Sequence, residues 1–139
     1  MKCIMLNSAD DIGNPGPDFK HGWGEVNVLR GLKMLEESNY QSGSVSQSDD
    51  NDHDLIVPAG IKDLKIMVYW HDKEASPSST IALVNDLDIQ LTSPNGIVFQ
   101  PWVLDPTPNS TLLNSNAFRG TDSLNNMEPV SYTHLRAHE

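Results

Sequence analysis

The sequence has one cysteine, Cys3, among its 139 residues. An intrachain disulfide is therefore excluded, and the fold depends on burial and hydrogen bonding alone. No run of apolar residues approaches the roughly 20 that a membrane-spanning helix requires. The apolar start at Met1 is too short for the core of a signal peptide before Asn7 and Asp10 interrupt it. Either the protein is not exported, or its true N-terminus lies upstream.

Basic residues are also scarce. Nine Lys and Arg stand against 19 Asp and Glu, which gives a net charge of −10. A field of this sign repels the phosphates of nucleic acid and anionic membrane surfaces, so neither is an expected partner. The hydrophobic content of 37% suffices for a modest core, in one ordinary domain or in a small domain with a piece of another.

Alternation of apolar and polar residues in the second half of the chain predicts β-strands. The clearest strand covers residues 64–70. Residues 87–91 and 97–100 predict a hairpin, because the turn residues Ser93-Pro94-Asn95-Gly96 lie between them. Residues 102–104 predict another short strand, and the Asn-, Ser- and Thr-rich residues 107–123 a loop.

The first half predicts one clear helix and a linker. Asn27 is a suitable N-cap, and Val28, Leu32 and Leu35 follow at helical spacing through Glu36. Residues 38–54 are rich in Ser and Asp and have almost nothing to bury, which is typical of a solvated linker.

Two sets of motifs resemble the subtilisin-like serine proteases, or subtilases. The first set resembles the end of the catalytic domain and comprises Leu6-Asn7-Ser8, a Gly-rich loop and Phe19-Lys20-His21-Gly22-Trp23-Gly24-Glu25-Val26-Asn27 before the helix. The second set resembles the jelly-roll β-sandwich that follows this domain in a group of large bacterial subtilases. It comprises Val68-Tyr69-Trp70-His71-Asp72, Ala82-Leu83-Val84-Asn85-Asp86-Leu87-Asp88, Pro94-Asn95-Gly96 and Asn125-Asn126-Met127-Glu128. The motifs occur in the family's order.

The resemblance implies a mostly-β fold. Residues 1–37 would be a loop-helix remnant of the α/β catalytic domain, residues 38–54 a linker, and residues 55–128 a truncated jelly-roll-type β-sandwich. At Pro129 the chain departs from the family pattern and its composition changes. We therefore interpret residues 129–139 as a non-native tail and leave them outside the predicted fold.

The family cleaves peptide bonds with an Asp-His-Ser triad and an oxyanion-binding Asn. Its nucleophile lies in a Gly-Thr-Ser-x-Ala motif. Ser8 precedes Ala9, but Leu6-Asn7 stands where the family has Gly-Thr. His21 and His71 lack the His-Gly-Thr context of the family. We therefore assign no catalytic residue, expect the triad upstream of Met1, and expect the chain alone to be inactive.

Asn85, Asp86 and Asp88 offer clustered oxygen ligands of the kind that calcium prefers. Sandwich domains of this group often bind calcium, so the resemblance supports a calcium site. The alternative is that Asn85 and Asp86 satisfy backbone groups at the start of a strand while Asp88 faces water. Asn109-Ser110-Thr111 matches the N-glycosylation sequon, a short pattern that also arises by chance.

The sequence thus predicts a non-catalytic piece of a subtilisin-like endopeptidase. Its partners would be the rest of the catalytic domain and the parent enzyme's protein or peptide substrate. The family implies an extracellular or cell-envelope location. The alternative is a free-standing carbohydrate-binding or adhesion β-sandwich, in which Tyr69, Trp70 and Trp102 could form a sugar-stacking platform, although core packing also explains Trp70.

Overall fold

The computed structural model describes residues 1–133. Strand residues outnumber helical residues, 19% against 14%, so the fold is mostly β, as the sequence predicts. The helices are α1 (Lys2–Asn7) and α2 (Val28–Glu36). The strands are β1 (Asp63–Tyr69), β2 (Leu91–Thr92), β3 (Val98–Phe99), β4 (Trp102–Val103), β5 (Phe118–Arg119) and β6 (Met127–Thr133). A short 3-10 helix, Leu112–Asn114, precedes β5.

The long strands β1 and β6 form the centre of the fold. They pair antiparallel over seven residues, from Asp63 opposite Thr133 to Tyr69 opposite Met127. The prediction of a strand at residues 64–70 is confirmed to within one residue at each end. Residues 129–133, which the change in composition predicts to lie outside the fold, belong to β6, because their backbone pairs with residues 63–67 of β1. Residues 134–139 of the predicted tail lie outside the described residues.

Side chains, rather than further strands, cover backbone groups on both long strands. On β1, the Cys3 Sγ donates to the Met67 carbonyl oxygen at 3.4 Å, and the Asn7 Nδ2 donates to that of Lys65 at 3.2 Å. On β6, Arg119 Nη2 donates to the Ser131 carbonyl oxygen at 2.6 Å. Because bare strand edges invite pairing with other chains, these contacts protect the sheet.

The segment before the linker is built around α2. Asn27 caps this helix as predicted, because its Oδ1 accepts from the Arg30 backbone N–H at 2.9 Å. Arg30 also forms an ion pair with Asp10 at 2.6 Å and donates to the Ser8 carbonyl oxygen at 3.0 Å. Gly31 faces α1. A Cβ at position 31 would lie only 3.2 Å from the Ser8 Oγ, so the glycine allows the two helices to approach closely.

The hairpin exists but is shorter than the alternation of residues 87–91 predicts. Only Leu91–Thr92 and Val98–Phe99 pair, around the turn at Gly96, which has a φ of +77°. The Ile89 N–H donates to the Glu128 carboxylate at 2.7 Å instead of to a neighbouring strand. A side-chain acceptor from β6 therefore replaces the expected ladder.

A second pair of short strands packs beside β6. Trp102–Val103 pairs with Phe118–Arg119, which confirms the strand predicted at Trp102 and adds β5 inside the stretch predicted as loop. The Trp102 Nε1 donates to the Ser131 Oγ at 2.8 Å. The buried hydrophobic residues in the described part of the chain are few, which makes a small core. They are Ile4, Ala9, Val103, Ala117 and Val130.

Candidate functional site

Four carboxylates gather where the loop between β1 and β2 meets the start of β6. Two of them, Asp86 and Asp88, belong to the predicted calcium set. The other two, Asp122 and Glu128, were missed by the sequence analysis. The third member of the predicted set, Asn85, has its amide turned elsewhere. We refer to Asp86, Asp88, Asp122 and Glu128 as the acidic cluster.

Asn85 is held by Asp72, which lies three residues after the end of β1 and two after Trp70. The Asp72 carboxylate accepts from the backbone N–H groups of Val84 and Asn85 at 2.6 and 3.0 Å, and from the Asn85 Nδ2 at 2.7 Å. The Trp70 Nε1 donates to the Asn85 carbonyl oxygen at 2.9 Å. Asn85 thus fixes the loop to the end of β1. The alternative interpretation expected the Asn85 side chain to satisfy backbone groups, whereas its Nδ2 donates to the Asp72 carboxylate; Asp88 is exposed, as that alternative expects.

Glu128 is the most deeply buried member of the acidic cluster. Its side chain is fully buried, although its backbone pairs with Val68 in the central ladder. One carboxylate oxygen accepts from the Ile89 N–H at 2.7 Å, and the other accepts from the Asp122 N–H at 3.4 Å. Glu128 therefore ties two loops to the sheet with a single side chain.

Burial dominates the electrostatics of this carboxyl. Desolvation raises the pKa of Glu128 from 4.5 to about 7, the two backbone N–H groups oppose the rise, and the charges of Asp88 and Asp122 add to it. Desolvation also raises the pKa of Asp86, with further contributions from Asp88 and Asp122. Like charges at short range disfavour ionisation, so a bound proton or cation would stabilise this region.

The donor set of the acidic cluster suits a hard cation in charge and in atom type. Its geometry is less suitable, because Asp122 is occupied within its own loop. Its carboxylate accepts from the Leu124 N–H at 2.8 Å and from the Asn125 Nδ2 at 2.6 Å. Among residues 1–133, no three His, Cys, Asp or Glu side chains are arranged to hold a metal ion.

Ser8 and the backbone of His21, which were compared above with the protease nucleophile and base, make structural contacts, whereas His71 is exposed. Ser8 is buried, and its Oγ contacts the carbonyl oxygens of Met5 and Asn27 at 3.2 and 3.4 Å. The His21 backbone N–H donates to the Asp18 carboxylate at 2.6 Å, within the loop that leads to α2. These contacts place Ser8 in the packing between the helices rather than at a surface that a substrate could reach.

A cleft of about 170 Å³ separates the N-terminal segment from the sheet. Its walls are mainly apolar. They include Leu6, Pro17 and Trp23 on one side and Met67, Trp102 and Val130 on the other. Lys65 also lines the cleft, and its Nζ donates to the Ala9 carbonyl oxygen at 3.0 Å. The cleft thus lies at the interface between the sheet and the segment that precedes the linker.

Trp102 is poorly placed for stacking on a sugar. The Arg119 guanidinium carbon lies 3.6 Å from the centre of the indole ring, and Gly16 packs against the same ring system. Burial lowers the pKa of Arg119, whose charge is balanced here by the indole and by carbonyl oxygens. A sugar would have to displace these groups.

No family model, curated protein or solved structure matches this chain. The α-helices in the described part of the chain have six and nine residues and the 3-10 helix has three, and none is long or apolar enough to cross a bilayer.

Proposed function

We propose that this chain is a non-catalytic piece of a subtilisin-like serine endopeptidase. In this proposal α1, the Gly-rich loop and α2 close the catalytic domain, and residues 55–133, which include the whole of β6, belong to a jelly-roll β-sandwich. The bonds that the parent enzyme breaks would be peptide bonds, and its triad would lie upstream of Met1. The chain itself would supply scaffold.

The observation that carries the proposal is the uncovered apolar face of α2. Val28, Leu29 and Leu32 are 75%, 64% and 49% exposed. The opposite side of the helix packs on α1 through Gly31. Burying each of these side chains is worth about 1.5–3 kcal/mol, so an exposed row of three favours a covering surface. A catalytic domain whose last helix is α2 would provide that surface.

The surface area of the whole chain supports the same conclusion. The chain exposes 10347 Å², whereas a compact monomer of 15.4 kDa exposes about 7,200 Å². The acidic linker contributes to this excess, and so does the open face of α2. A compact domain of this mass would expose less surface than this chain does.

Calcium is part of the proposal, with Asp86 and Asp88 as ligands. Their proximity to Asp122 and Glu128 supports a cation there, because no Lys or Arg of the described residues forms an ion pair with these four carboxylates. The proposed location is extracellular or at the cell envelope, as the family resemblance implies. The rival carbohydrate-binding function is less well supported, because Arg119 covers the Trp102 ring.

The sequence upstream of Met1 tests the proposal directly. Extension of the transcript or gene should reveal an in-frame Gly-Thr-Ser-x-Ala motif about one helix length before residue 1. The extended protein should then react with a fluorophosphonate probe at that serine, and replacement of the serine by alanine should abolish labelling. An upstream frame without this motif, or an extended protein that binds glycans on an array and does not react with the probe, would refute the proposal.

A further inference from the structure

We propose that Asn109 is an acceptor site for an N-linked glycan. Asn109-Ser110-Thr111 is the one place in the sequence where a Ser or Thr follows an Asn by two positions without an intervening proline. All three residues are exposed, on the stretch between β4 and β5. A bulky polar substituent needs this kind of surface position.

The local backbone orients the Asn109 side chain. Its Oδ1 accepts from the Thr111 backbone N–H at 2.8 Å and from that of Leu112 at 3.3 Å. Asn109 thereby begins the turn that continues into the 3-10 helix, and its carbonyl oxygen accepts from the Leu113 N–H at 2.9 Å. This is an Asx-type turn, in which the side-chain oxygen takes the place of a backbone acceptor.

The consequence of this turn is that the amide nitrogen points away from it. The two substituents of a carboxamide lie on opposite sides of its carbon, so fixing Oδ1 toward the backbone directs Nδ2 outward. Within the described residues, Nδ2 of Asn109 donates to no other atom. Asn114 provides a contrast in the same loop, because its Nδ2 contacts the Ser110 carbonyl oxygen.

The base of the loop is attached to the rest of the fold. The Asn14 Nδ2 donates to the carbonyl oxygens of Asn114 and Ser115 at 3.1 and 3.2 Å. The hydrophobic residue beside the turn, Leu113, is half-buried, whereas Asn109 itself is exposed. A glycan on Asn109 would therefore project from a fixed loop without displacing packed side chains.

The reaction joins Nδ2 of Asn109 to the anomeric carbon of a lipid-diphosphate-linked oligosaccharide. The bond between that carbon and the diphosphate oxygen breaks, the lipid diphosphate leaves, and one amide proton passes to a base on the transferase. No oxidant or reductant is needed. Use of the site in the cell rests on the proposed extracellular location, because such transferases act on chains entering the secretory pathway.

The site can be tested on the full 139-residue chain with a purified single-subunit oligosaccharyltransferase and a fluorescent lipid-linked oligosaccharide. We expect one glycan per chain on both the folded and the urea-unfolded protein, located at Asn109 by mass spectrometry and released by a peptide amidase. N109Q and T111A should lose the glycan, whereas T111S should keep it. Asn114 serves as the internal control and should remain unmodified.

An absence of glycan on the wild-type chain, while a control acceptor is modified in the same reaction, would overturn the proposal. Modification of the unfolded chain alone would also overturn it, because the folded chain would then not present Nδ2 to the transferase. Neither result depends on the upstream serine motif. The fate of this site is thus distinguishable from that of the proposed protease function.

Discussion

Replacing the buried Glu128 with glutamine should change how stability depends on pH. The pKa of Glu128 is raised to about 7 in the folded chain from 4.5. A carboxyl with a higher pKa in the folded state favours folding while it is protonated, and it loses this advantage as the pH rises from 4.5 to about 7. The difference between the folded and unfolded pKa values corresponds to at most about 3 kcal/mol of unfolding free energy, because one pKa unit, a ten-fold change in proton affinity, is worth about 1.4 kcal/mol.

The substitution E128Q keeps one oxygen for the Ile89 N–H and removes the ionisable group. It loses the weaker contact at 3.4 Å to the Asp122 N–H, which lowers stability by an amount that does not depend on pH. The stability of E128Q relative to wild type should therefore increase by up to about 3 kcal/mol between pH 4.5 and pH 8. Urea unfolding followed by tryptophan fluorescence at several pH values measures this difference.

The exposed carboxylate Glu74 provides a matched control, because E74Q removes the same charge from a solvated position. E74Q should follow the pH profile of wild type. Carbon NMR of the Glu128 carboxyl should in addition show a midpoint near pH 7. Parallel pH profiles for wild type and E128Q, together with a midpoint near 4.5, would refute the reasoning from burial.

Three further predictions concern the helix, its open face and the acidic cluster. N27A should lower the unfolding free energy by at least about 1 kcal/mol, measured by urea unfolding, because it removes the N-cap and the amide donor to the Asp10 carboxylate. N27S keeps a capping oxygen and should restore only part of this loss, and N27D should restore less than N27S because its carboxylate would face Asp10. The double variant V28E/L32E should keep the circular dichroism spectrum and reduce light scattering at high concentration, because these side chains are exposed; unchanged scattering would contradict an open apolar face. Calcium should raise the melting temperature of wild type more than that of D88N, and equal shifts would exclude Asp88 as a ligand.

The sequence predicted the helix, strand and turn whose stabilising contacts join residues close to each other in the chain. Helix α2 begins after Asn27 because the Asn27 Oδ1 accepts a hydrogen bond from the backbone N–H three residues later, that of Arg30. Strand β1 follows from the alternation at residues 64–70, and the turn at Gly96 follows from Asn-Gly chemistry. Each of these features is stabilised mainly by short-range geometry, so the sequence alone was informative.

The misassigned segments depend on distant partners. Residues 87–90 alternate as a strand should, yet the Glu128 carboxylate, 39 residues from Ile89, takes the N–H that would have joined a ladder. Residues 129–133 were left outside the fold because their composition changes, yet their backbone pairs with β1. Strand β5 was missed because a two-residue pairing carries no periodic signal.

The same distinction applies to the candidate site. Asp86 and Asp88 are adjacent enough in sequence to be noticed as possible ligands, whereas Asp122 and Glu128 reach them only through the return of the chain in β6. A long run of apolar residues around Glu128 could have suggested burial, but none is present there.

The sequence by itself determined the acidic charge, the mostly-β class, the cap and extent of α2, and the position of the one glycosylation motif. These features depend on composition or on groups a few residues apart. The tertiary structure decided which backbone groups the buried Glu128 binds and which face of α2 is left open. Those outcomes depend on contacts between distant segments, and only the folded chain brings such segments close enough for hydrogen bonding and desolvation to act.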